Sequence, residues 1–227
     1  MLKSLYAVLY GKGFHYSGPD FVFIYYLANI DGKWVYIDVG FSSKNLAENM
    51  GIQLLTVPEE VKEAVKPDKV DAILITHSHW DHIDDTCKYC NAKIYLSELT
   101  YKKAIEENCD NTKNYLKKAR KEGRVIFIEP GEKVLNCFTY EFVGGHSSDS
   151  GVFYFDHDNR KYCLAGDECF SIQHLRDNIP IDNAFNPENN SLFTKKCFEN
   201  EITVLPSHDG AVLESFTKIS YGITRII

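Results

Sequence analysis

Apolar and polar positions along this chain alternate between short strand-like runs and longer polar, helix-favouring stretches. Residues 21–30 and 33–39 read as strands, with Asp31-Gly32 between them as a hairpin turn signal. Helices are expected over 44–50 and over 58–65, the second with Pro58 near its start. Residues 70–75 form a branched apolar run of the kind that makes a buried strand, and 93–96 a shorter one. The stretch 98–122 is rich in Lys, Glu, Ala and Leu. It predicts helix, interrupted near Asn108 to Thr112 and stopped at Gly123. Strands return at 125–128, 138–143, 152–155 and 161–165, with a turn at 156–159. Helical and irregular segments and a strand at 202–205 follow. Strands, helices, strands, helices is the order of a four-layer αββα sandwich of two mixed β-sheets flanked by helices. No linker, repeat or low-complexity tract interrupts it, so residues 1–227 are expected to form a single domain.

Composition narrows the picture. At 44% apolar and 25% charged residues the chain can bury a sizeable core. A net charge of −7 argues against a polyanion-binding surface, and so against nucleic acid as substrate. No run is long enough for a membrane-spanning helix, and the N-terminus lacks the features of a signal peptide. Seven scattered cysteines, an odd number, suit a reducing compartment, so a cytoplasmic location is expected. Oligomeric state is not legible.

The chemistry sits just after the run 70–75, in Thr76-His77-Ser78-His79-Trp80-Asp81-His82. Imidazoles and a carboxylate are what zinc and neighbouring first-row metals bind. His77 and His79 share a side if the segment is extended, while Asp81 and His82 can turn toward a second point. Further ligands are expected where later strands end: His146 after Phe142-Val143-Gly144-Gly145, Asp167 after Tyr162-Cys163-Leu164-Ala165-Gly166, and His208 after Val204-Leu205-Pro206-Ser207. The two glycines would let the backbone approach closely while His146 projects.

His77-x-His79-x-Asp81-His82, then His146, Asp167 and His208 in that order, resembles the metallo-β-lactamase-fold hydrolase superfamily, as does Asp38-Val39-Gly40 after an early strand. The resemblance implies a dinuclear site. His77, His79 and His146 would hold one metal; Asp81, His82 and His208 the other; Asp167 would bridge them. It also makes Asp81 a candidate to orient a metal-bridging hydroxide or shuttle its proton, and Asp38 a support behind the ligands. The implied activity is hydrolysis of a small ester, lactone or thioester by a zinc enzyme, two ions per chain, with iron or manganese as alternative metals. An iron-dependent oxidoreductase of diiron or persulfide dioxygenase type, or a phosphodiesterase or nuclease, would fit the same scaffold.

The chain looks most similar to N-acyl-homoserine lactonase-like and glyoxalase II-like members, with departures. Lactonases of that kind carry a tyrosine three residues after the bridging aspartate; Phe170 stands there, with no hydroxyl to donate. A glycine common three residues after the histidine is Asp149 here, so an altered loop is expected. No segment after His208 is long enough for a glyoxalase II helical domain.

Weaker signals remain. Cys87-x-x-Cys90 has the spacing of a metal or redox pair, but the expected reading is two half-buried thiols. Cys169 lies near Asp167 in sequence. His15, His157 and His174 are expected at the surface. Trp80 either packs beneath the metal loop or walls a substrate pocket. The Gly11-to-Tyr16 stretch and residues 98–122 are each a plain element or a lid.

Overall fold

From the N-terminus, β1 (Leu2–Gly13), β2 (Val22–Ile30) and β3 (Lys33–Ile37) form an antiparallel meander. α1 (Lys44–Met50), β4 (Ile52–Leu54) and α2 (Glu59–Ala64) lead to β5 (Val70–Leu74), which lies parallel to β3. α3 (Trp80–Ile83), β6 (Lys93–Leu96), α4 (Glu98–Glu107), α5 (Asp110–Lys121) and β7 (Val125–Phe127) follow. Next come β8 (Lys133–Val134), β9 (Phe138–Phe142), β10 (Gly151–His157) and β11 (Arg160–Gly166), each antiparallel to its neighbour. After α6 (Ile172–Arg176) and α7 (Pro187–Glu199), β12 (Thr203–Pro206) pairs parallel with β11. α8 (Ala211–Ser215), β13 (Thr217–Ser220) and β14 (Ile223–Arg225) bring the chain back onto β1. This computed structural model describes residues 1–13, 21–177 and 179–227.

Among the described residues the strands make two mixed sheets. Their orders are β13-β14-β1-β2-β3-β5-β6-β7, with β4 also on β1, and β12-β11-β10-β9-β8. Three apolar cores separate four layers. Leu5, Ala7, Leu9, Ile24 and Ile37 of the first sheet meet Phe153, Leu164 and Leu205 of the second. The opposite face of the first sheet, with Val8, Tyr25 and Ile73, packs on Ala47, Val61, Ala104 and Leu116 of the helices. The outer face of the second sheet, with Cys163 and Val204, packs on Leu175 and Phe193. The fold is therefore the αββα sandwich. Both faces of β2 are buried, so it reads as a continuous apolar run rather than as alternation.

Local chemistry sets the boundaries. Asp38 at φ +55° ends β3 before Val39. The Asp158-Asn159 pair, both at positive φ, makes the hairpin turn tighter than the expected 156–159. The helical stretch 98–122 splits at Asn108 and Cys109, and Gly123 at φ +72° follows it. Two points differ from the sequence reading. Gly11 to Gly13 belong to β1 rather than to a loop, because they pair with Val22 and Phe23 and with β4; residues 14–16, His15 included, lie outside the described residues. Strands β13 and β14 were not anticipated, since each is short and only half apolar. The turn of Asp81 and His82 is one helical turn, residues 80–83.

Candidate metal centre

Five of the strand ends supply the site. The segment after β5 carries His77, His79, Asp81 and His82; those after β9, β11 and β12 carry His146, Asp167 and His208; Asp38 follows β3. Main-chain bonds draw the loops together: Gly151 N donates to Thr76 O (3.0 Å), Ser207 N to Gly166 O (3.3 Å) and Val22 N to His208 O (3.4 Å). His79 is the extended residue before α3, so Asp81 and His82 sit on the helical turn that starts there, with the His82 ring 4.1 Å from that of His77.

All the expected metal-site side chains converge, in two groups. His77, His79, His146 and Asp167 form one, and Asp81, His82 and His208 the other, with donor atoms inside each group within 4.8 Å of one another. Asp167 faces both groups. Its Oδ2 lies 3.3 Å from His146 Nε2 and 3.7 Å from His77 Nε2; its Oδ1 lies 3.0 Å from His82 Nε2 and 3.1 Å from His208 Nε2. Asp81 Oδ2 is 3.5 Å from His208 Nε2 and 3.8 Å from His82 Nε2.

Three of the ring tautomers are fixed from behind. His82 Nδ1 donates to Asp38 Oδ2 (2.8 Å) and His208 Nδ1 to Val22 O (2.8 Å). Thr76 Oγ1 donates to Asp38 (2.9 Å to Oδ2), which leaves its oxygen to accept from His77 Nδ1 (3.0 Å). Each of these rings therefore turns an Nε2 lone pair inward. Asp38 thus holds one histidine of each group, directly or through Thr76.

The inward atoms fit cations. His77 Nε2, His82 Nε2 and Asp167 Oδ1 are buried and make no hydrogen bond within the protein, although buried polar atoms are nearly always satisfied. His79 Nδ1 and His146 Nε2 stand 3.0 Å apart, which two lone pairs tolerate only with a proton or a metal shared between them. The donor set, imidazole and carboxylate, suits zinc. Electrostatics divide the groups. Burial, reinforced by the neighbouring His82, holds His77 well below the usual imidazole range, and burial pushes His146 down to about 4. Burial opposes charge on His82 and His208 too, but Asp167 with Asp81, and at His82 also Asp38, outweighs it and raises both. Burial would likewise raise Asp167; His82, His208 and His146 overcome this and hold it well below the ordinary carboxylate range.

The surroundings answer the remaining expectations. Trp80 packs edge-on against Phe41, ring centres 4.5 Å apart, as a support under the loop. Phe21 stacks on His208 at 4.5 Å, and Phe170 lies edge-on to His146 and His208 at 5.4 and 5.8 Å. Cys169 is buried with Sγ toward Ser171 O, outside both groups, and Cys87 and Cys90 join no metal-like cluster among the described residues. His174 is exposed, and His157 pairs with Asp158 at 3.4 Å. Helices α4 and α5 buttress the ligand loop, with Asn108 Nδ2 donating to Ser78 O at 2.7 Å. A cavity of about 450 Å³ lies beside Asp209, lined by Lys12, Lys218 and Tyr221, and none of the clustered side chains lines it.

Two buried acids were not anticipated as part of the site. Asp149 Oδ2 accepts from Ser78 N (2.9 Å) and ties the loop after β5 to the loop after β9. Glu168, next to Asp167, accepts from the main chain of His146 (2.9 Å). Only the Asp149 departure left a trace in the sequence pattern.

Gly166 tests the packing behind the site. It stands at φ +50°, and a Cβ there would come within 2.7 Å of Thr76 Oγ1, the atom linking His77 to Asp38. Gly166→Ala is expected to destabilise the fold by about 2 kcal/mol, combining overpacking with backbone strain. Thermal unfolding measures it, and an unchanged midpoint would show that Thr76 yields freely.

Comparisons with known proteins agree with the fold. The family profile described as the metallo-beta-lactamase superfamily matches residues 17–195. No curated protein matches the chain. Among solved structures, an N-acyl homoserine lactone hydrolase with N-hexanoyl-L-homoserine bound is similar at a TM-score of 0.76 and 17% identity, covering 96% of this chain and 98% of that one. A quorum-quenching N-acyl homoserine lactone lactonase gives 0.77 at 16%, covering 96% and 97%. A probable metal-dependent hydrolase from Staphylococcus aureus gives 0.75 at 15%, covering 90% and 88%.

Proposed function

The chain belongs to the metallo-beta-lactamase superfamily, and from that premise we propose that it is a dinuclear zinc hydrolase acting on a small ester, lactone or thioester. The carrying observation is Asp167, whose Oδ2 lies 3.3 Å from His146 Nε2 and whose Oδ1 lies 3.1 Å from His208 Nε2. In this reading His77, His79 and His146 hold one ion, Asp81, His82 and His208 the other, and Asp167 serves both. Two ions so held supply a nucleophile made from water near neutral pH and polarise a substrate carbonyl. Asp81 is the catalytic candidate. It is the more exposed of the two clustered carboxylates, at 12% against 5% for Asp167, so the oxygen it does not give to the ion could take and return a proton. Tyr10 steadies it, its hydroxyl donating to Asp81 O at 2.8 Å. Burial first, then Asp81, raises that phenol well above its usual range, so it keeps its proton.

Phe21 and Phe170 beside the inward histidines favour an apolar, uncharged group next to the reacting carbonyl. The lactone-cleaving neighbours favour a lactone, while Phe170, which has no hydroxyl, argues against homoserine lactone itself. The whole chain acts as one domain in this reading, and its seven free cysteines suit the cytoplasm. No helix among the described residues is long and apolar enough to cross a membrane. The test is a panel of neutral esters, lactones, thioesters, phosphodiesters and β-lactams on zinc-loaded protein. Turnover is expected for the first three classes. Turnover confined to phosphodiesters would contradict the reading.

A further inference from the structure

Glu168 is fully buried, yet it neither enters the metal cluster nor pairs with Lys or Arg among the described residues. The turn at Gly166, φ +50°, sends Asp167 toward the cluster and Glu168 toward the loop that carries His146. Glu168 Oε1 accepts from Gly145 N (2.9 Å), His146 N (2.9 Å) and the Ser150 hydroxyl; Oε2 accepts from Asn190 Nδ2 (2.9 Å). Asn190 also donates to Glu168 O (2.9 Å) and accepts from Ile181 N (3.1 Å). The fit is tight enough that a Cβ on Gly145 would lie 2.9 Å from Asn190 Cα.

His146 needs such an anchor. His77, His82 and His208 are each fixed through Nδ1, whereas His146 Nδ1 is buried with no hydrogen-bond partner. Its ring direction is therefore set through its backbone. We propose that Glu168 is the positioning residue of His146, aiming Nε2 into the first metal position by gripping the main-chain N–H groups of residues 145 and 146. This rests on the metal reading above. Charge-assisted bonds to two adjacent N–H groups are stronger and more directional than neutral ones. Asp167 and His146 are thereby locked to each other through adjacent residues of one strand end.

The test is Glu168→Gln, which keeps the volume but gives the loop a neutral acceptor and turns an N–H toward Asn190. Stepwise zinc titration against a competing chelator and cobalt(II) absorption spectra report the two positions separately. One binding step is expected to weaken by about 10- to 100-fold, the range for groups that orient a ligand. Its cobalt band should change while the other step stays near wild type. Two unchanged steps, or two weakened alike, overturn the proposal. If Glu168→Gln does not fold, Ser150→Ala removes one donor from Oε1. A several-fold loss confined to one step supports the proposal, and no selective loss overturns it. Wild-type protein that binds no metal would instead defeat the metal reading itself.

Discussion

Asp167→Ala is expected to empty both metal positions together and to lower kcat/KM roughly a thousandfold, the scale of removing one partner from a buried charge cluster. The geometry behind this is the divided carboxylate, with Oδ1 at 3.0 Å from His82 Nε2 and Oδ2 at 3.3 Å from His146 Nε2. Among the described residues it is the carboxylate whose two oxygens face histidines of both groups. Without it, five imidazoles crowd round a space that keeps only the Asp81 carboxylate at one side, and any ion there loses a ligand. His79→Ala provides the contrast. His79 belongs to one group only and is half-buried, so its loss should weaken one position and spare the other. Elemental analysis of each purified variant, with kcat/KM on the best panel ester, reads both effects. An Asp167→Ala protein that keeps two ions and full activity would remove Asp167 from the centre.

Metal removal should cost the fold dearly. Ligands that bind only the native state stabilise it by about 4 kcal/mol each at a thousand times their dissociation constant. For a chain of this length 1 kcal/mol moves the unfolding midpoint by about 2–4 °C, so two ions correspond to a shift of roughly 15 °C or more. The structure supplies the reason. Asp38, Asp149, Asp167 and Glu168 are all buried, and among the described residues none pairs with Lys or Arg. Only histidines and neutral donors balance that charge once the ions are gone. Thermal unfolding of zinc-loaded and chelated protein, with chelator removed before the scan, gives the shift directly. Coincident curves would mean that the cluster does not hold metal in the folded protein.

Much of this was legible in the sequence because each clustered group follows a strand signal. The run 70–75 announced β5, and the loop after it carried a dense set of ligating types. His146, Asp167 and His208 were visible for the same reason, each sitting just past an apolar run. The αββα order was legible because β2, β3 and β5 are largely buried on both faces, which makes them strongly apolar. What escaped was non-local. β1 reads weakly as a strand because Lys3, Ser4, Gly11 and Lys12 interrupt it, and its status comes from pairing with β2, β4 and β14. Asp149 and Glu168 were not readable as part of the site, because a buried acid that grips main-chain N–H groups looks in sequence like any surface acid. The turn at 80–83 depends on the His79 cap geometry, which no periodicity reports.

The central claim is that two ions sit on either side of one carboxylate. Anomalous X-ray diffraction at the zinc absorption edge, on crystals of protein purified without added metal, tests it most directly. Two zinc peaks are predicted, one among His77, His79 and His146 and one among Asp81, His82 and His208, with Asp167 between them. A single peak, peaks away from Asp167, or a signal at the iron edge instead would contradict the account.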